Sequence, residues 1–195
     1  MIQLKTKIFI LIGIPVLLIF VILMFISLPW LLIFTGIQFS PNPPSPQVKY
    51  GEFPIHLVYE IDGQRKEIKD TLICEYDGIG ANEGHGKYRK WKAHLASENE
   101  KLVLLNVEKP IGIVFSRIKT LNQVIYYDPG PAWYYMGDGN GYTHEFPNAS
   151  FKEQYQDGSG ANGIIQANEL LEKCNIKLIS WDYTEPIINN FTSKK

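Results

Sequence analysis

The stretch DGIGANEGHGKYRKW, Asp77 to Trp91, gathers glycines, a histidine and a burst of cations. Glycines beside a lysine suggest a phosphate cradle, so that chemistry is tested first. A P-loop requires G-x-x-x-x-G-K-[ST], in which backbone amides hold the phosphates and the hydroxyl holds magnesium. Counting back from Gly86-Lys87 puts Ala81 at the first glycine position and Tyr88 in place of the hydroxyl. The dinucleotide pattern fails in the same way, because Gly78 and Gly80 are followed by Glu83 where the third glycine belongs. No amphipathic helix follows to offer its N-terminus to an anion. Both readings are excluded.

A hard cation is the second chemistry. DGIGAN (77–82) matches DGSGAN (157–162) at five of six positions, and GDGNGY (137–142) lies between them. Carboxylate and amide oxygens at alternate positions, with glycines for sharp turns, suit calcium. The candidate ligands are Asp77, Asp138, Asn140 and Asp157. The plain alternative is turn chemistry, since Asp, Asn and Gly are the residues that tolerate or cap tight turns. None of the three loops carries the full ligand set of a calcium-binding hand.

The third is recognition through charge and rings. KYRKWK (87–92) sets four cations around two aromatics. In a strand, Lys87, Arg89 and Trp91 share one face. Arg89 and Trp91 are candidates to hold anionic headgroups, a wall polyanion or an acidic partner. The alternative is an edge strand guarded by lysines. The aromatic run YYDPGPAWYYMGDGNGY offers Trp133 and Tyr134 as stacking surfaces for a sugar or peptide, or as core. Four histidines are present, His56, His85, His94 and His144, with no recognised catalytic spacing around them. A tethered hydrolase would need His85, Asp138 and His144 to converge for acid–base work. Cys74 and Cys174 are the only thiols, and both sit in apolar patterns. A disulfide and two buried thiols are both open at this point.

These residues need a scaffold, and the pattern is mostly that of strands. Ile55, Leu57, Tyr59 and Ile61 alternate with His56, Val58 and Glu60, which is the period of a half-buried strand. Asp62-Gly63 is a hairpin turn signal, with a return strand from about Lys66 to Tyr76. A second hairpin is expected to turn at Ser97 to Glu100. GIVFSRI and QVIYYD read as a third strand pair, and Asp128-Pro129-Gly130-Pro131 then breaks the chain. QANELLEKCN has the spacing of a short helix ended by Asn175, and IKLISWDY reads as a strand. The fold class is α+β: a β-rich globular domain with one short C-terminal helix, preceded by a single N-terminal transmembrane helix.

The anchor is the clearest signal. Ile8 to Ile37 carries no charge, whereas a bilayer core needs roughly 20 apolar residues as a helix. The run exceeds a signal peptide's apolar region of roughly 7–15 residues. Trp30 suits a membrane interface, and Lys5 and Lys7 put the N-terminus in the cytoplasm. SPNPPSPQVKY (40–50) reads as a semi-rigid extended spacer. The organisation expected is therefore a cytoplasmic N-terminus (1–7), an anchor (8–37), a Pro-rich linker (38–49) and an extracytoplasmic β-rich domain (50–195). The 195-residue chain has 19 basic and 20 acidic residues. Removing Lys5 and Lys7 from the 19 leaves 17 basic against 20 acidic, a net of −3 for the outer part. Nothing in that balance calls for nucleic acid as a partner.

YGEFPIHLVYEIDG, DTLICEYDGIG, KYRKWKAHL, YYDPGPAWYYMGD and ANELLEKCNIKLISWDYTEPI together resemble an uncharacterised family of small membrane-anchored proteins of Gram-positive bacteria. The resemblance covers nearly all of Tyr50 to Ile187. It implies an extracytoplasmic bacterial domain and supplies no activity or site residue. The functional expectation is an anchored binding or interaction module, whose partners are the lipid bilayer and a protein or wall component. A membrane-tethered hydrolase using His85 and His144 is the alternative.

Overall fold

The computed structural model describes residues 2–107, 118–139, 149–181 and 184–192. The chain divides into two compact units: Met1–Pro43 with Ile79–Arg89, and Pro44–Gly78 with Lys90–Lys195.

In the first unit the dominant element is a helix, α1 (Ile2–Phe39), longer at both ends than the apolar run alone suggests. Gly13–Phe39 is wholly unburied, with a mean hydropathy of 3.0, and is the one described helix long and apolar enough to cross a membrane. At ~1.5 Å per residue that stretch is about 40 Å long. Length and composition fit a single membrane crossing or a signal helix. Thr35 is satisfied within the helix: its hydroxyl donates to Leu31 O (2.8 Å) and Leu32 O (3.0 Å). Leu31, Leu32, Ile33 and Phe34 are all exposed. Removing four such side chains from water is worth on the order of 6–12 kcal/mol, so the apolar surface favours a cover as far as the helix end.

The second unit is β-rich, with two four-stranded sheets. The Pro-rich stretch enters it directly: β1 (Ser45–Pro46) pairs antiparallel with the last strand of the chain, Phe191–Thr192. Gln47 N donates to Asn190 O at 3.0 Å. From Ser45 onward, then, this segment is part of the fold. The physical reason is Asn189, whose amide takes both backbone groups of Val48.

β2 (Tyr50–Ile61) and β3 (Gln64–Asn82) form a long antiparallel hairpin with Ile61 opposite Gln64. Asp62 (φ 51°) and Gly63 (φ 77°) both take left-handed backbone at the turn, the geometry that matches strand twist. β4 (Gly86–Leu95) follows on the far side of β3. The other sheet holds β5 (Leu102–Val107), β6 (Thr120–Tyr127), β7 (Ala149–Tyr155) and β8 (Gly160–Ile165), in that order. Two expected pairings are therefore corrected. β4 and β5 lie in different sheets, because Asp70 captures the turn between them: Ser97 Oγ donates to Asp70 Oδ2 (2.5 Å) and Ser97 N to Asp70 Oδ1 (3.3 Å). β6 is flanked by β5 and β7, which leaves no edge for GIVFSRI; that segment falls almost wholly outside the described residues.

Among the described residues, two short helices complete the unit. α2 (Ala132–Tyr135), a single turn absent from the sequence expectation, interrupts the aromatic run. α3 (Ala167–Cys174) buries Leu170 and Cys174 and ends at Asn175 in the left-handed conformation (φ 52°). β9 (Ile176–Trp181) then returns to pair with β2, and the terminal strand Phe191–Thr192 is β10. The sheets share one core: Phe53, Leu57, Tyr59 and Leu72 from the first meet Leu104, Ile125, Phe151 and Ile165 from the second. Tyr59 ties them further by donating its hydroxyl to Leu104 O at 3.2 Å. Both cysteines are free and buried.

Candidate functional site

The Gly-rich stretch is a strand end and a turn. Asn82 Oδ1 accepts from Gly84 N (3.1 Å) and His85 N (2.7 Å), closing the loop on itself. The His85 ring rests against the same oxygen at 3.3 Å and is otherwise exposed. The amides that would cradle a phosphate are thus already satisfied by one side chain.

The cation burst is divided among three partners. Lys87 Nζ donates to Gln38 O (2.9 Å) and Ser40 O (2.7 Å) at the end of α1. Lys90 and Lys92 grip opposite oxygens of Asp77, at 2.9 and 2.7 Å. The hydrogen bond from Lys92, then that from Lys90, holds the Asp77 carboxyl below its usual range. Trp91 donates its indole N–H to Asp138 Oδ2 at 2.8 Å and sets its ring edge-on to Tyr76 (5.3 Å). Trp91 and Asp138, expected in separate sites, are therefore partners. Arg89 is half-buried on β4.

The remaining candidates are also held by the fold. Tyr134 is buried in the core and Trp133 packs half-buried against it, so Tyr134 offers no stacking surface. Asp157 Oδ1 accepts from Ser159 N (3.0 Å) and Ser159 Oγ (2.6 Å) in the β7–β8 turn. Those hydrogen bonds lower its carboxyl pKa. Asp77 lies on β3, Asp138 after α2 and Asp157 in a turn of the other sheet, each engaged by its own donors. Among the described residues, no three His, Cys, Asp or Glu side chains gather to hold a metal ion. Asn140 and His144 lie outside the described residues.

A concave surface that the sequence reading missed is also present. It lies on the outer face of the second sheet, with a volume of about 370 Å³, within the usual range of ligand clefts. Register builds it: Val124 stands opposite Lys152, and Asn122 opposite Gln154. Asn106 of β5 faces Val124 from the other side. The floor is apolar, Val103 and Val124, and the walls carry the amides of Asn99, Asn106, Asn122 and Gln154, the ammonium groups of Lys101 and Lys152 and the Glu100 carboxylate. Within this lining Lys101 lies over the Tyr126 ring at 3.7 Å. Amides offer donors and acceptors together, so the groove suits a ligand rich in hydroxyls and amides. Across these strands polar and apolar residues alternate as on any solvated face, and only the concavity distinguishes them.

No family model, curated protein or solved structure matches the chain.

Proposed function

We propose that this is a single-pass membrane protein of the bacterial cell surface. Its β-rich domain lies outside and binds a hydroxyl- and amide-bearing polymer, of the class of a wall glycan or its peptide, in the groove of β5, β6 and β7. The observation that carries the ligand class is the lining: four amides, two lysines and a glutamate around two valines. The uncovered apolar helix supports the anchor. Lys5 and Lys7 support an outward domain, and a bacterial, extracytoplasmic setting is what the family resemblance implies. Recognition here is stoichiometric binding, with the helix supplying location and the groove supplying contact.

The test uses the full chain in detergent micelles and soluble peptidoglycan fragments as probe. Asn122→Ala combined with Gln154→Ala removes two hydrogen-bonding side chains, at ~1 kcal/mol each, or about 30-fold in Kd. Both residues are exposed, so the fold is expected to survive. Unchanged binding by the double variant, with loss of binding in Arg89→Ala, would move the site to the basic strand and overturn the groove.

A further inference from the structure

The hydrogen bonds of Lys87 have a geometric consequence for the first unit. Ser40 closes α1 by donating its N–H to Gly36 O (3.0 Å) and its hydroxyl to Ile37 O (2.7 Å). Lys87 adds an ammonium to the next carbonyls, Gln38 and Ser40, where a cation complements the helix dipole. Lys87 belongs to the tip of the β3–β4 hairpin, so that tip is fastened to the place where the apolar helix ends.

We infer that the hairpin tip, Ile79 to Tyr88, lies in the lipid headgroup layer beside the exit of α1 and is a membrane-interface element. This rests on the reading of α1 as a membrane span. An ammonium is excluded from hydrocarbon, so Lys87 fixes the depth of Gln38 and Ser40 at or outside the headgroup boundary. Below them Leu31, Leu32, Ile33 and Phe34 are all exposed along the helix and belong in hydrocarbon. The boundary therefore falls near Gln38 rather than at Trp30. The tip has the composition such a layer accepts. Ile79 (41 % exposed) and Tyr88 (38 %) flank the turn, and a tyrosine with an apolar body and polar end suits the interface. The turn itself is polar, through Asn82, Glu83 and His85. Lys87 uses two of its three donors on carbonyls, which leaves one for a lipid phosphate. The partner is thus the phosphodiester layer of the bilayer that holds the anchor.

The experiment places a reporter at the turn. Gly84→Cys is accommodated, since a Cβ there meets nothing closer than Asn82 Oδ1 at 3.7 Å, and both native thiols are buried. The full chain carrying an environment-sensitive fluorophore at residue 84 is reconstituted in phosphatidylcholine–phosphatidylglycerol bilayers. A second sample carries the fluorophore at Leu32→Cys. Headgroup-labelled quenching lipids are expected to quench residue 84 strongly, and acyl-chain quenchers to quench residue 32. Lys87→Met is expected to weaken quenching at residue 84 by at least threefold and to leave residue 32 unchanged. Quenching at residue 32 without quenching at residue 84 would overturn the tip inference and keep the anchor. Absence of quenching at residue 32, with access to an aqueous quencher, would overturn the anchor itself.

Discussion

Asn189 stands between two readings of the Pro-rich stretch, a free spacer or a stitched part of the domain. Its side chain is 8 % exposed and makes three hydrogen bonds to backbone. Nδ2 donates to Val48 O (2.8 Å) and Met136 O (3.2 Å), and Oδ1 accepts from Val48 N (3.1 Å). Asn189→Ala leaves all three backbone groups without this partner. Val48 is 40 % exposed, so water recovers much of its two bonds, and each then counts for about 0.5–1 kcal/mol. Met136 is fully buried, and an unsatisfied carbonyl there costs about 1–3 kcal/mol. The expected loss is about 2–5 kcal/mol, read as a lowered urea midpoint with unchanged slope for the full chain in micelles. Asn189→Asp keeps the acceptor for Val48 N and turns an oxygen on Val48 O and Met136 O, so its loss should equal or exceed that of alanine. A loss below about 0.5 kcal/mol in both variants would mean that residues 45–48 are not held by Asn189, and the spacer reading would return.

Three further outcomes follow from the same geometry. Burial pushes the Cys74 thiol up to about 12. Its neutral form therefore adds stability in full below pH about 9, which is lost as pH rises from there towards about 12; Cys74→Ala should flatten that alkaline slope, and Ellman's reagent at pH 8 should find neither thiol until denaturant is added. Gly137 has φ +69°, and a Cβ there would clash with Ile187 O. Gly137→Ala should thus lower Tm far more than Gly63→Ala, where φ is also positive but space is open and the cost is only about 1–2 kcal/mol. Asp77 has a lowered pKa from Lys92 and Lys90, so its contribution is present above the unfolded carboxylate pKa and lost as pH falls through the folded one. Asp77→Asn should remove that acid dependence, and salt should weaken it in the wild type.

Short-range signals were legible in the sequence where one residue decides the backbone. Ile55, Leu57, Tyr59 and Ile61 alternate into the core as their spacing requires, Asp62-Gly63 turns the hairpin, and Asn175 adopts the left-handed backbone that ends α3. The assignment of strands to sheets was not legible. A turn signal at Ser97 to Glu100 reports that the chain reverses, whereas the capture of Ser97 by Asp70, 27 residues earlier, decides where β5 goes. The groove was illegible for a related reason. Asn122 and Gln154 each look like solvated strand residues, and only register across β6 and β7 makes them neighbours. Trp91 and Asp138, 47 residues apart, posed the same difficulty.

The cation burst shows how this changes a functional argument. As a sequence, KYRKWK is a patch of charge waiting for an anion. In the fold Lys87 is spent on the carbonyls of α1, Lys90 and Lys92 on Asp77, and Trp91 on Asp138. Charge so engaged gives an incoming anion little, because each new contact must first break an existing one. Exposed amides over a valine floor have water as their competitor, and burying that floor adds apolar area to whatever hydrogen bonds replace it. The sites richest in chemistry-bearing residues therefore hold the hairpin together and fasten its tip to the end of α1. On the proposed reading, the blander face of β5, β6 and β7 is where a ligand gains most by arriving.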